Sequence, residues 1–141
     1  MKLGELARDY LRRAEVRVRS AAGATASKDY PDAVRFSQEA VELSLKAALR
    51  AFGVEYPKEH DVGGVLRSVG ERYPTWFRDK IDELAEVSAD LASKRALAMY
   101  GLEAAGKSPS ELFGVEQAEK ALGVAKMTIG LVEKLLRKTS S

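Results

Sequence analysis

Apolar residues recur along this chain at helical spacing, and no alternating strand-type pattern persists anywhere in it. The pattern predicts an all-α protein with helices over about 2–25, 31–52, 61–72, 75–100 and 114–138. Chain punctuation agrees with most of these ends. "SKDYPD" puts Pro31 at a helix start, Gly53 follows Phe52 as a helix terminator, and "ERYPTW" interrupts the chain at Pro74. "GLEAAGKSPSELFG" is the longest irregular stretch and reads as a connection.

The last helix carries the clearest stripe: Ala118, Leu122, Ala125, Ile129, Val132 and Leu136 share one face, as in a core-facing bundle helix. The first carries a thinner one, Leu3, Ala7, Tyr10, Ala14, Val18 and Ala21, whose small side chains allow a neighbouring helix to come close. The second helix has two apolar flanks. Val34, Val41, Leu45 and Phe52 form one; Phe36, Ala40, Leu43 and Ala47 form the other; a narrow stripe of Arg35, Glu39, Glu42, Lys46 and Arg50 is polar. Both flanks must be buried, either at the centre of the chain's own bundle or partly against a second copy, and the expectation drawn from this helix is a homodimer.

On the fourth helix Phe77, Ile81, Leu84, Ser88, Leu91, Arg95, Met99 and Leu102 share a face, which puts an arginine on an apolar stripe. A guanidinium cannot shed its proton to relieve burial, so Arg95 needs a carboxylate, a phosphate, carbonyls or a route to water. Pairing with Glu42 or Glu39 satisfies it without any function; an anion or RNA contact satisfies it with one. Ser88 reads as a mild polar interruption that bonds back to its own helix.

Composition narrows the chemistry. At 141 residues the chain is expected to form one domain, 1–141, large enough for a core without staples, and with no cysteine there is no disulfide framework, zinc ribbon or thiol nucleophile. No apolar run approaches the roughly 18 residues of a membrane span, and the expectation is a soluble, cytoplasmic protein with no membrane partner. The net charge of +2 does not mark a nucleic-acid binder. Positive charge gathers in the first helix, where Lys2, Arg8, Arg12, Arg13, Arg17 and Arg19 face Glu5, Asp9 and Glu15, and it reads as a solvated face with local ion pairs. The absence of asparagine and the scarcity of glutamine resemble thermophile usage.

His60 is the only histidine. Flanked by Pro57, Glu59 and Asp61, it stands at a helix start, where it or the Asp61 carboxylate can serve unpaired backbone groups. A metal site would need converging ligands and no second histidine exists, so no metal and no cofactor is expected. There is no P-loop, no G-x-G-x-x-G and no nucleophile elbow. An ordinary imidazole pKa of about 6.5 leaves acid–base work by His60 chemically open.

The run "YPDAVRFSQEAVELSLKAALRAFGVEYPKEHDVGGVL", with "YLRRAE" before it and "GVEQAEKALGVAK" after it, resembles the prokaryotic HEPN domains. Its most specific part is the second helix, where Gln38, Ala40, Glu42, Lys46 and Ala47 fit a "QxAxExxxKA"-like pattern, followed by Gly53 and the pair His60 and Asp61. The resemblance implies an up-and-down four-helix bundle with an additional short helix, a homodimer with a cleft between protomers, and pairing with a minimal nucleotidyltransferase in toxin–antitoxin fashion. Nucleotide binding is proposed for such proteins, and many are metal-independent endoribonucleases using an Arg followed four to six residues later by His. Here "RALAMY" supplies Arg95 but puts Tyr100 where the histidine is expected, and a phenol of pKa near 10 is a poor base at neutral pH. Three readings follow. The first is a nucleotide- or RNA-binding interaction module whose cleft is lined by Arg95, Tyr100, Glu42 and Lys46. The second is an endoribonuclease using Arg95 with Tyr100 or His60. The third is a helical scaffold in which Arg95 is paired with a carboxylate and no basic cleft is open.

Overall fold

The computed structural model describes residues 3–56 and 58–139, so the expectations placed on Lys2 and Pro57 lie outside the described residues. Four long helices, α1 (Leu3–Ala26), α2 (Tyr30–Ala51), α5 (Ile81–Tyr100) and α7 (Val115–Thr139), form an all-α bundle; short helices α3 (Gly63–Ser68), α4 (Thr75–Arg78) and α6 (Pro109–Leu112) fill the connections. The α-helical fold class and bundle follow the sequence expectation.

Helix α2 is the centre of the molecule. Helices α1, α5, α6 and α7 all pack on it, and it buries Val34, Val41 and Leu45 on one flank and Ala40 and Ala47 on the other. The first flank is covered within one chain except for the half-buried Phe52, whereas on the second the large side chains, Phe36 and Leu43, are only half-buried beside the buried alanines. Helix α7 buries its predicted stripe, with Leu122 half-buried, and α1, packed mainly against α2, buries Ala7, Ala14 and Ala21. Alanines at this contact let the two axes approach closely.

The ends of α2 are set by local chemistry. Pro31 occupies its first turn, where a missing N–H costs nothing. Gly53 (φ 73°) ends it in the left-handed region: the Gly53 N–H donates to Arg50 O at 3.0 Å and the Val54 N–H to Leu49 O at 3.0 Å. Beyond it Phe52, Tyr73, Phe77 and Trp76 stack in series with centroids 4.4–5.7 Å apart, and the buried Tyr73 hydroxyl donates to Ala48 O at 2.8 Å.

Two connections differ from expectation. The helix expected over 61–72 is α3 followed by a 3₁₀ turn at Gly70–Arg72, and the one expected over 75–100 is two helices separated at Asp79 and Lys80. At that break the Lys80 N–H reaches Phe77 O at 2.9 Å in a tightened turn. Arg78 meanwhile turns back to donate to the carbonyls of Gly70, Glu71 and Tyr73 at 3.0–3.3 Å. The 101–113 connection is an ordered link: Leu102 and Lys107 exchange backbone bonds at 2.9 and 3.0 Å, and a Ser108–Glu111 capping box starts α6.

Candidate functional site

The polar stripe of α2 places Arg35, Gln38, Glu39, Glu42 and Lys46 three or four residues apart, on one face of the helix. Within it Arg35 Nη1 donates to Glu39 Oε2 at 3.1 Å, Gln38 Nε2 to Glu42 Oε1 at 2.9 Å and Lys46 Nζ to Glu42 Oε2 at 2.8 Å. Other elements add to this ladder. From α1, Arg17 Nε donates to Glu39 Oε1 at 2.9 Å. From α5, Arg95 Nη1 donates to Glu39 Oε2 at 2.8 Å and to Gln38 Oε1 at 2.7 Å. From the α2–α3 loop, His60 Nδ1 lies 2.8 Å from Glu42 Oε1.

One carboxylate, Glu39, thus holds three guanidiniums, while its side chain is 18% exposed. Arg95 is paired, as the stripe argument required, and with one of the two acids named for it. Burial pushes the Glu39 carboxyl upward, but the hydrogen bond and charge of Arg95, the charge of Arg35 and the hydrogen bond from Arg17 outweigh it and hold the acid below its ordinary range. Glu42 is also held low: burial raises it, and the hydrogen bonds from Lys46, Gln38 and His60 with the charge of Lys46 win. Both acids are ionised at neutral pH.

Arg13, Arg17, Glu39, Glu42, Leu43, His60 and Arg95 line a small open cleft of about 190 Å³. Counting Arg35 and Lys46, which bond to the same two acids, five permanent cations surround two carboxylates. Among the described residues, Arg17 and Arg35 each use one guanidinium nitrogen in this network and Arg95 uses one, so fork-shaped donors stay available to an incoming anion. The basic character of α1 is therefore not all solvated. Arg12 pairs with Asp9 at 3.2 Å on the exposed face, but Arg17 turns inward to α2, and Glu15, expected among local ion pairs, lies beside Glu133 of α7 and pushes its carboxyl up.

His60 and Asp61, adjacent in sequence, go opposite ways. A carboxylate only accepts, so His60 Nδ1 carries the proton toward Glu42, which leaves Nε2 as the second ring position; the imidazole is 56% exposed at the cleft. Asp61 Oδ1 accepts from the Gly63 N–H at 2.9 Å and from Ser88 Oγ at 2.8 Å, and Ser88 Oγ accepts from the Val62 N–H at 3.1 Å. Ser88 does not bond back to its own helix as expected. It clamps the start of α3 to α5, because a buried hydroxyl facing two unpaired groups of the incoming loop serves both at once.

Of the candidate site residues, Arg95, Glu42 and His60 line the cleft, and Lys46 is bonded to Glu42. Tyr100 is not among its lining residues. It is the last residue of α5 and 63% exposed. Five residues past Arg95 on a helix is about 140° around the axis, so a side chain there cannot share the arginine's face. Sequence reasoning names Gln38 in the second-helix pattern, Arg35 on the polar stripe and Arg13 and Arg17 on the basic first helix, but places none of them in the site. The i,i+4 pairs of α2 are visible in sequence, whereas the arrival of Arg17 and Arg95 at Glu39 depends on how three helices pack. Among the described residues no three His, Cys, Asp or Glu side chains converge as a metal site requires, and no helix is long and apolar enough to cross a membrane.

Residues 7–135 match the family described as the HEPN domain. The fold is similar to a solved structure, that of TT1696 from Thermus thermophilus, with a TM-score of 0.73 and 26% identity over 91% of this chain and 96% of that one. No curated protein matches the chain.

Proposed function

This chain belongs to the HEPN domain family, and on that premise we propose that it is a binding module whose cation cluster holds a phosphate-bearing ligand, a nucleotide or RNA. The observation that carries the reading is the surplus of guanidiniums. A ligand-free scaffold needs one carboxylate for Arg95, and Glu39 meets that need; it does not account for Arg17, Arg35 and Arg95 on the same acid with Arg13 beside them. Unsaturated guanidinium forks in a half-buried cleft are the usual recognition chemistry for phosphate. The homodimer and the nucleotidyltransferase-type partner belong to this reading through the family resemblance.

The test is a titration of nuclease-free protein with ATP and, separately, with structured RNA, comparing wild type with Arg95→Ala. Binding that weakens at least about tenfold in the variant, the loss expected for one charge-assisted contact, supports the module. Equal affinity in a folded variant removes Arg95 from the site. Copurification with a nucleotidyltransferase encoded nearby tests the partner, and its failure sinks the pairing.

A second reading, the metal-independent endoribonuclease, is favoured by one observation: His60 is oriented by Glu42 beside the same cations, an arrangement suited to proton transfer. RNA cleavage lost in both Arg95→Ala and His60→Ala supports it. Cleavage retained in either folded variant refutes it.

A further inference from the structure

The cation cleft does not stand alone on its face of the bundle. Along α1 the residues Leu6, Tyr10, Arg13 and Arg17 follow one another at three- and four-residue steps, and along α2 so do Glu42, Lys46 and Arg50. Arg13, Arg17 and Glu42 line the cation cleft, while Leu6, Tyr10 and Arg50 line a second cavity of about 260 Å³ with Glu55 and Tyr56. The two openings are thus successive stations of one α1–α2 groove. Lys46 joins them: its Nζ bonds Glu42 of the first at 2.8 Å and lies 5.0 Å from the ring centroid of Tyr56 in the second.

The second cavity has a different chemistry. Two half-buried tyrosine rings, Tyr10 and Tyr56, stand with centroids 6.5 Å apart and planes tilted by 57°. Burial and the Tyr10 hydroxyl raise the Tyr56 phenol above its ordinary value, so it stays neutral. Arg50 has no carboxylate partner among the described residues, and Glu55 is exposed at the rim. A π face, a fork of donors and an acceptor are what a purine or pyrimidine needs for stacking and edge recognition. Seven residues of α1 separate the middle of one cavity from the middle of the other, a rise of about 10 Å. That distance suits a ribose with two or three phosphates.

We infer that the Tyr10–Tyr56 cavity is the base subsite for a nucleoside polyphosphate whose phosphates lie on the Arg13, Arg17 and Arg95 cluster. This rests on the proposed phosphate-binding function and adds the part of the ligand that the cluster cannot read.

Calorimetric titration of the full chain with ATP and with inorganic tripolyphosphate, both in chelator, separates the two ideas. Stacking on an aromatic side chain predicts ATP binding about tenfold tighter than tripolyphosphate. Tyr56→Leu should abolish that difference while leaving tripolyphosphate binding in place, and Tyr56→Phe, which keeps the ring, should retain it. Equal affinity for the two ligands in wild type overturns the base subsite and leaves the phosphate site standing. A preference for ATP that survives both Tyr56→Leu and Tyr10→Leu also overturns it, because the base is then held elsewhere. Binding of neither ligand overturns the subsite and the nucleotide form of the phosphate-binding function together.

Discussion

Replacing Glu39 by glutamine is the sharpest probe of the cation cluster. The change keeps shape and volume but removes the charge that holds Arg17, Arg35 and Arg95 at 2.8–3.1 Å, and its new NH₂ group is a donor facing donors. A hydrogen bond to a charged group contributes about 1.5–3 kcal/mol, and the amide oxygen preserves one of the three. The guanidiniums are partly solvated, which screens both the lost attraction and the new repulsion among them, so roughly half of the nominal loss survives. The net destabilisation is then about 1.5–3 kcal/mol. For a chain of this size that lowers Tm by about 5–10 °C. Three unneutralised guanidiniums should also recruit a free anion. In thermal melts at matched ionic strength, sulfate or phosphate in place of chloride should recover part of the lost Tm in Glu39→Gln and raise the wild type less. A variant melting within about 2 °C of wild type would refute the energetic argument. A variant indifferent to the anion would refute the claim that the cluster attracts phosphate.

Three further outcomes follow from other contacts. Ser88→Ala leaves the buried Val62 N–H without a partner, while the exposed Asp61 carboxylate keeps the Gly63 N–H, and should cost about 1–3 kcal/mol in urea unfolding; a cost below about 0.5 kcal/mol would mean that water replaces the hydroxyl freely. Gly101 sits at φ 71° and ψ −157°, a region open in practice only to glycine, and a Cβ there would collide with the Lys107 carbonyl oxygen, so Gly101→Ala should lose at least about 1–3 kcal/mol and an unaffected urea midpoint would contradict the turn. Stability should also fall in acid. Glu39 and Glu42 are held below their ordinary value of 4.5 in the folded chain, so their contribution is complete above that pH and is lost as pH falls through the folded values. Glu133, raised by the neighbouring Glu15 carboxyl and by burial, acts in the opposite sense, its contribution present at low pH and lost as pH rises through its folded value. Urea midpoints across the acid range should therefore drop more steeply below about pH 4.5 in wild type than in Glu39→Gln, and equal slopes would refute the assignment.

The long helices were legible because their periodicity is sustained: α1, α2 and α7 fall within two residues of the predicted ends where both are described. The break between α4 and α5 was not, because Phe77, Ile81 and Leu84 keep helical spacing straight across it and are buried on both sides. Arg95 announced its need for an acid by interrupting an apolar stripe, and the structure supplies one. What sequence could not reveal was company. Arg17 looked like one more cation on a basic face, and only the crossing of α1 over α2 turns it toward Glu39. Ser88 likewise gave no sign of its partner, which lies 27 residues earlier in the chain.

The position of Tyr100 carries a consequence for any chemistry at this site. On a regular helix the fifth residue after Arg95 points about 140° away, while the third, fourth and seventh return toward its face, and the third and fourth are the apolar Ala98 and Met99. That seventh position is Leu102, which is apolar and stands beyond the helix end at Gly101. Helix α5 therefore offers the cleft an arginine and no proton-transfer group on the same face. The imidazole that does reach the cleft comes from the α2–α3 loop, held on one side by Glu42 and anchored on the other through Asp61 to Ser88 of α5. Any acid–base role of His60 thus depends on a serine placed seven residues before Arg95 on the same helix, two turns away. Ser88→Ala should disturb a His60-dependent activity more than it disturbs Arg95-dependent ligand binding, measured side by side on folded protein. If both fall in equal proportion, the serine acts only through global stability and the clamp has no bearing on the imidazole.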